Sequence, residues 1–121
     1  MNDLIERIEA ASAPDREIDL LIMRYAENIG GPAENALPYT ESVDAALTLV
    51  PEGEFWKIGN DGEGADPSDY AAAVTCTWWP NGRKASPHMR TLRATATTPA
   101  LALSAAALKS RAYLKETNNV D

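Results

Sequence analysis

The stretch LTLVPEGEFWKIG, residues 47–59, holds the change of period that decides the fold. Up to Val50 the apolar residues recur at helical spacing, with Val43, Ala46, Leu47 and Val50 on one face, and Thr40 is expected to cap that helix. Pro51-Glu52-Gly53 reads as a turn. From Phe55 onward the spacing falls to two, the mark of strands. The chain therefore divides into a helical part over 1–50 and a sheet over 54–97, with a last helix over 98–116.

Upstream, DLIERIEAA (residues 3–11) sets Leu4, Ile5, Ile8 and Ala11 at helical spacing. In SAPD, Ser12 is expected to cap a second helix with Asp15 completing a capping box, and Ile18, Leu21, Ile22, Tyr25 and Ala26 form its stripe over residues 14–28. Gly30, Gly31 and Pro32 stop it. Downstream, three strands are expected, in EFWKIG (54–59), AAVTCTWW (72–79) and HMRTLRATAT (88–97). The acidic loop NDGEGADPSD and the turn PNGRKASP separate them, and the turn chemistry favours a hairpin and an antiparallel meander. Thr98 as cap and Pro99 at the first helical position then open a helix whose Leu101, Ala105, Leu108 and Ala112 share a face, with alanines that permit close packing on the sheet. Its Lys109, Arg111 and Lys115 read as complements to the negative pole of the helix dipole.

A chain of 121 residues fits one domain, expected over 1–121. The single cysteine, Cys76, excludes an internal disulfide, and MNDLIERIEA has neither the basic nor the apolar region of a signal peptide, so a cytoplasmic protein is expected. The longest apolar run, residues 99–108, is too short to span a bilayer. Net charge is −7, but residues 1–69 carry 4 basic against 16 acidic side chains, while residues 70–121 carry 7 against 2. An acidic far field disfavours DNA, RNA and anionic membrane as partners, and a local basic site remains able to hold one small anion.

Strand alternation yields such a site. One face, Trp56, Ile58, Val74, Cys76, Trp78, Leu92, Ala94 and Ala96, reads as core. The other joins Phe55, Lys57, Trp79, Met89 and Arg93 to a row of threonines at 75, 77, 91, 95 and 97. Aromatic planes can stack a base, and Lys57 and Arg93 can hold a phosphate or carboxylate. Arg83, Lys84, His88 and Arg90, in or beside the turn, are placed to close over the same ligand. A plain solvent face is the competing reading, since threonine is a strong strand former. Pairing of the basic turn with the acidic loop at 61–69 is a third.

Enzyme chemistry has no positive support. His88 is the only histidine, no G-x-S-x-G elbow, P-loop or G-x-G-x-x-G occurs, and the acidic loop misses the EF-hand spacing. No cofactor or metal is expected, and Cys76 reads as a buried inert thiol.

Two segments, YTESVDAALTLVPEG (39–53) and TTPALALSAAALKSRA (97–112), with tryptophan-rich strands between them and the opening LIERIEAASAPDREID, resemble the small phage proteins of the phage ABA sandwich domain family. The resemblance implies a phage or prophage origin, action in the host cytoplasm and a layered α-β-α sandwich of the α+β class. It implies no reaction and transfers no site. The expected function is a homo-oligomeric sponge that withholds a small anionic, nucleotide-like immune signal without cleaving it. The alternative is an interaction protein whose acidic helices bind and inhibit a host protein.

Overall fold

A helix buried on every side organises the molecule. The computed structural model describes residues 2–25, 30, 36–51, 54–59, 70–78 and 88–118, with backbone alone at Asn2, 76–78, His88 and 115–118. Among the described residues seven elements follow in order: α1 (Asn2–Ala10), α2 (Arg16–Tyr25), α3 (Val43–Leu47), β1 (Phe55–Gly59), β2 (Tyr70–Trp78), β3 (His88–Ala96) and α4 (Pro99–Asn118). In α4 the nine residues from Ala100 to Leu108 are all buried, Ser104 included. A helix apolar all round needs neighbours on opposite sides. It packs on β2 and β3 with one side and on α1 and α3 with the other.

The result is the α+β layout expected, with N-terminal helices, a three-stranded antiparallel sheet and a C-terminal helix against the sheet. The layers run sheet, α4, N-terminal helices, so the middle layer is the last helix of the chain. Only α1 among the N-terminal helices reaches the sheet, at β3. One continuous core joins Ile8, Ile22, Leu49, Val74, Leu101 and Leu108.

The sheet is a meander in the order β1-β2-β3. Trp56 pairs with Val74 and Val74 with Leu92, while Lys57 pairs with Ala73 and Ala73 with Arg93, so the two faces inferred from alternation exist as such. Trp56 departs from its core assignment, since it is 46% exposed. β1 lies at the sheet edge, and α4 covers β2 and β3 far more than β1. Ile58, on the same strand, is half-buried for the same geometric reason.

Several local assignments shift. The cap of α2 is Asp15, whose Oδ1 accepts from Glu17 N at 2.8 Å and whose carbonyl accepts from Asp19 N, so Ser12 is not needed there. Ser42 caps α3, accepting from Ala45 N at 3.2 Å. Thr40, expected in that role, is instead fully buried and bonded to α2. Thr98 does cap α4, accepting from Leu101 N at 3.2 Å. The dipole account of Lys109 and Arg111 fails because α4 runs on for two further turns. Lys109 pairs with Glu9 of α1 at 3.1 Å, and Arg111 Nε donates to the Leu49 carbonyl at 2.7 Å. They are cross-links between layers. The expected end of α2 at 26–28 and the side chain of Cys76 lie outside the described residues.

Asp19, buried to 1% exposure, ties the 38–41 turn to α2. It accepts from Thr40 N and Thr40 Oγ1, and from the Arg16 guanidinium, each at 2.9 Å. Thr40 Oγ1 in turn accepts from Asp15 N, and Arg16 reaches the Ala36 carbonyl. Removing the carboxylate strands a buried backbone N–H and a hydroxyl. Asp19→Ala is expected to cost about 2–3 kcal/mol in urea unfolding, with Asp19→Asn losing less because one acceptor survives.

Candidate functional site

The face of the sheet opposite α4 carries the candidate site. Alternation on an edge, a centre and a second edge strand aligns side chains in rows across it. One row is Lys57, Ala73 and Arg93; the next is Phe55, Thr75 and Thr91. Lys57, Thr91, Arg93 and Thr95 are exposed, as are Phe55 at 69% and Met89 at 61%. Among the described residues no helix covers this face.

Ala73, which the sequence reading left out, gives the face its relief. It is buried on the central strand between two long cationic side chains, so a dip forms over it. Two shallow depressions, of ≈ 170 and ≈ 250 Å³, meet over the row of Lys57, Ala73 and Arg93. The smaller extends along β1 to Gly59 and Ala71. The larger extends to Phe55, Thr75 and Thr91. The signal in the sequence was the run Ala71-Ala72-Ala73, whose middle member serves the core while its neighbours face outward.

This surface brings two cations, two hydroxyls and an aromatic ring together. Across two strand spacings of about 4.8 Å each, the Lys57 and Arg93 backbones stand about 10 Å apart, close enough for both side chains to reach one anionic group between them. Among the described residues no carboxylate pairs with Lys57. Thr75 and Thr91 share a hydroxyl hydrogen bond of 2.9 Å on a stiff scaffold, and Phe55 offers an open ring beside them. Thr97 is not available in the same way, because its hydroxyl donates to the Ala11 carbonyl at 3.1 Å. Among the described residues no group of three or more His, Cys, Asp or Glu side chains is placed to hold a metal ion. No helix there is long and apolar enough to cross a membrane.

The remaining expected site residues divide. Arg90 belongs to the other side of the sheet: it pairs with Cys76 in register, and its guanidinium sits 5.1 Å from the centroid of the Tyr113 ring on α4. It fastens the end of α4 and is not gathered with Phe55, Lys57 and Arg93. Its alternation parity, opposite to Arg93 three residues on, already separated the two. His88 opens β3 opposite Trp78 and shares the register parity of Arg90. Trp79, Arg83 and Lys84 lie outside the described residues, as does the acidic loop at 61–69 proposed to pair with them.

The chain matches no protein-family model, no curated protein and no solved structure.

If the open face is functional surface and the cross-links are structural, their substitutions must part company. Lys109→Met removes the Glu9 ion pair and the bond from Nζ to the Arg93 carbonyl at 2.9 Å. A loss of about 1–2 kcal/mol is expected, against less than about 0.5 kcal/mol for Thr95→Val on the open face, both by urea denaturation.

Proposed function

We propose that the protein is a non-catalytic binding module that captures a small anionic, nucleotide-like ligand on the open face of its sheet. The observation that carries the reading is the row of Lys57, Ala73 and Arg93 with Phe55 and the Thr75–Thr91 pair alongside it. A phosphate group fits between the two cations over the alanine dip, Arg93 offering bidentate bonds. A base lies on Phe55 at about 1–3 kcal/mol of stacking, with the threonine hydroxyls to read its edge. Trp79, Arg83 and Lys84 belong to the proposal from their sequence position, Trp79 continuing the parity of Thr75 and Thr77.

In the setting that the resemblance to phage ABA sandwich proteins implies, such a module acts in a host cytoplasm as a sponge for a nucleotide-derived immune signal. On this reading the ligand is held without being cleaved. The acidic helices are the surface for the alternative, a host protein; Asp3, Glu6, Glu41 and Asp44 are exposed on them or beside them.

A thermal-shift series against nucleotides, including cyclic dinucleotides and ADP-ribose derivatives, tests the reading. At 100-fold excess over Kd a ligand adds about 2.7 kcal/mol and raises Tm by several degrees. Arg93→Glu is expected to remove that shift with the far-UV circular dichroism unchanged, and the ligand should be recovered chemically intact after heat denaturation. A flat response across the panel sinks the reading and leaves the acidic helices as the surface to test.

A further inference from the structure

The two edges of the sheet are treated differently. On β3, α1 packs nearby, Lys109 Nζ takes up the Arg93 carbonyl and Thr97 ties the strand end to Ala11. Among the described elements β1 touches only β2 and α4, so its outer row of backbone N–H and C=O groups faces no other strand. Uncovered edges are normally blunted with charge, proline or a bulge. β1 is short and carries one such charge, Lys57, but it also exposes Phe55 on one face and Trp56 on the other.

We infer that β1 is the pairing strand of a homodimer, in which two copies join edge to edge about a two-fold axis to form one antiparallel six-stranded sheet. The occupant of the edge follows from the residues on it. A strand paired with its own copy about such an axis sets residues of like parity opposite one another, because each side chain must stay on its own face. Two such registers use most of β1. Centred on Lys57, the pairing sets two ammonium groups directly opposite, which is destabilising. Centred on Trp56, it sets Trp56 against the partner's Trp56 on the helix side and Phe55 against the partner's Lys57, twice, on the open side. One aromatic pair and two cation–π pairs then replace the like-charge contact. A second copy is therefore the complement that this edge specifies residue by residue, and the interface is isologous, using each copy's β1 edge once, so it closes at two.

The dimer does not depend on the identity of any ligand. Its consequence for the open face is direct: the two faces become one, and the two Lys57 residues stand on a diagonal about 7–8 Å apart. The cation rows of both copies then meet at the axis, so a ligand there contacts both chains.

Sedimentation velocity of the full chain at tens of micromolar is the test, with a mass of twice 13.0 kDa expected. Trp56→Lys, which sets like charges across the axis, is expected to sediment as the monomer with unchanged circular dichroism. Cross-linking gives an answer even where that variant does not fold. In a Cys76→Ala background, Trp56→Cys should form an intermolecular disulfide, because directly opposite strand residues lie at the Cα separation a disulfide spans. Lys57→Cys should not. A wild type of 13.0 kDa throughout gives the edge to an extended segment of another protein and overturns the dimer. So does a species larger than two copies, a dimer indifferent to Trp56→Lys, or cross-linking through Lys57→Cys in place of Trp56→Cys.

Discussion

Burying α4 from both sides at once is the constraint on which the rest of the structure depends. Alanine contributes little apolar area per residue, so a helix rich in it stabilises a fold only if nearly all of that area is removed from water. Ala102, Ala105, Ala106 and Ala107 meet that condition, all fully buried. Alanine also forms helix most readily and loses no side-chain freedom on burial, which offsets part of the shortfall. The facing elements match it, with Ala72, Ala94 and Ala96 on the sheet and Ala45 and Ala46 on α3. Small residues on both sides let backbones approach closely, and that closeness permits the polar ties. Ser104 Oγ donates to the Tyr39 carbonyl at 3.0 Å, and Arg111 reaches Leu49.

From this constraint the two faces of the sheet acquire their roles. One helix covers one face, and it is narrow enough to leave β1 under-covered, hence the half-exposed Trp56. The other face receives no helix among the described residues, because α1 and α3 are spent on α4. The same packing decides which cations are structural. Lys109, Arg111 and Arg16 each hold two elements together, and Arg90 lies on Tyr113. Lys57 and Arg93 stand on the opposite face of the sheet, exposed to solvent.

The meander and its register parity were legible because alternation and turn chemistry are local signals, although β2 begins at Tyr70, two residues before the expected 72. So was the start of α4, where Thr98 and Pro99 act within one turn. The depth of α4's burial was not legible: a stripe of Leu101, Ala105, Leu108 and Ala112 looks one-sided, while Leu103 and Ala106, buried just as fully, look incidental when alanine fills both faces. Thr40 is the sharper case. Its sequence context suits an N-cap, but a partner 21 residues away, Asp19, claims both its amide and its hydroxyl. Tertiary bonds of that separation leave no periodic trace. In the candidate site, Phe55, Lys57 and Arg93 were legible through parity, whereas the dip at Ala73 depended on knowing which strand is central.

On the proposed reading, the charge asymmetry of the chain adds a selectivity that two cations alone would not have. A polyanion such as nucleic acid must bring many charges near a molecule of net charge −7, and it feels that repulsion along its whole length. A small ligand feels chiefly what lies within a Debye length, about 8–10 Å at physiological salt, and over the row of Lys57, Ala73 and Arg93 that is positive charge on both sides. The acidic helices α1 and α3 pack against α4 more than against the sheet, although α1 meets β3 and its Glu9 reaches Arg93's strand through Lys109. On the proposed reading, Lys57 and Arg93 on an otherwise acidic chain suit a small anion better than a long one.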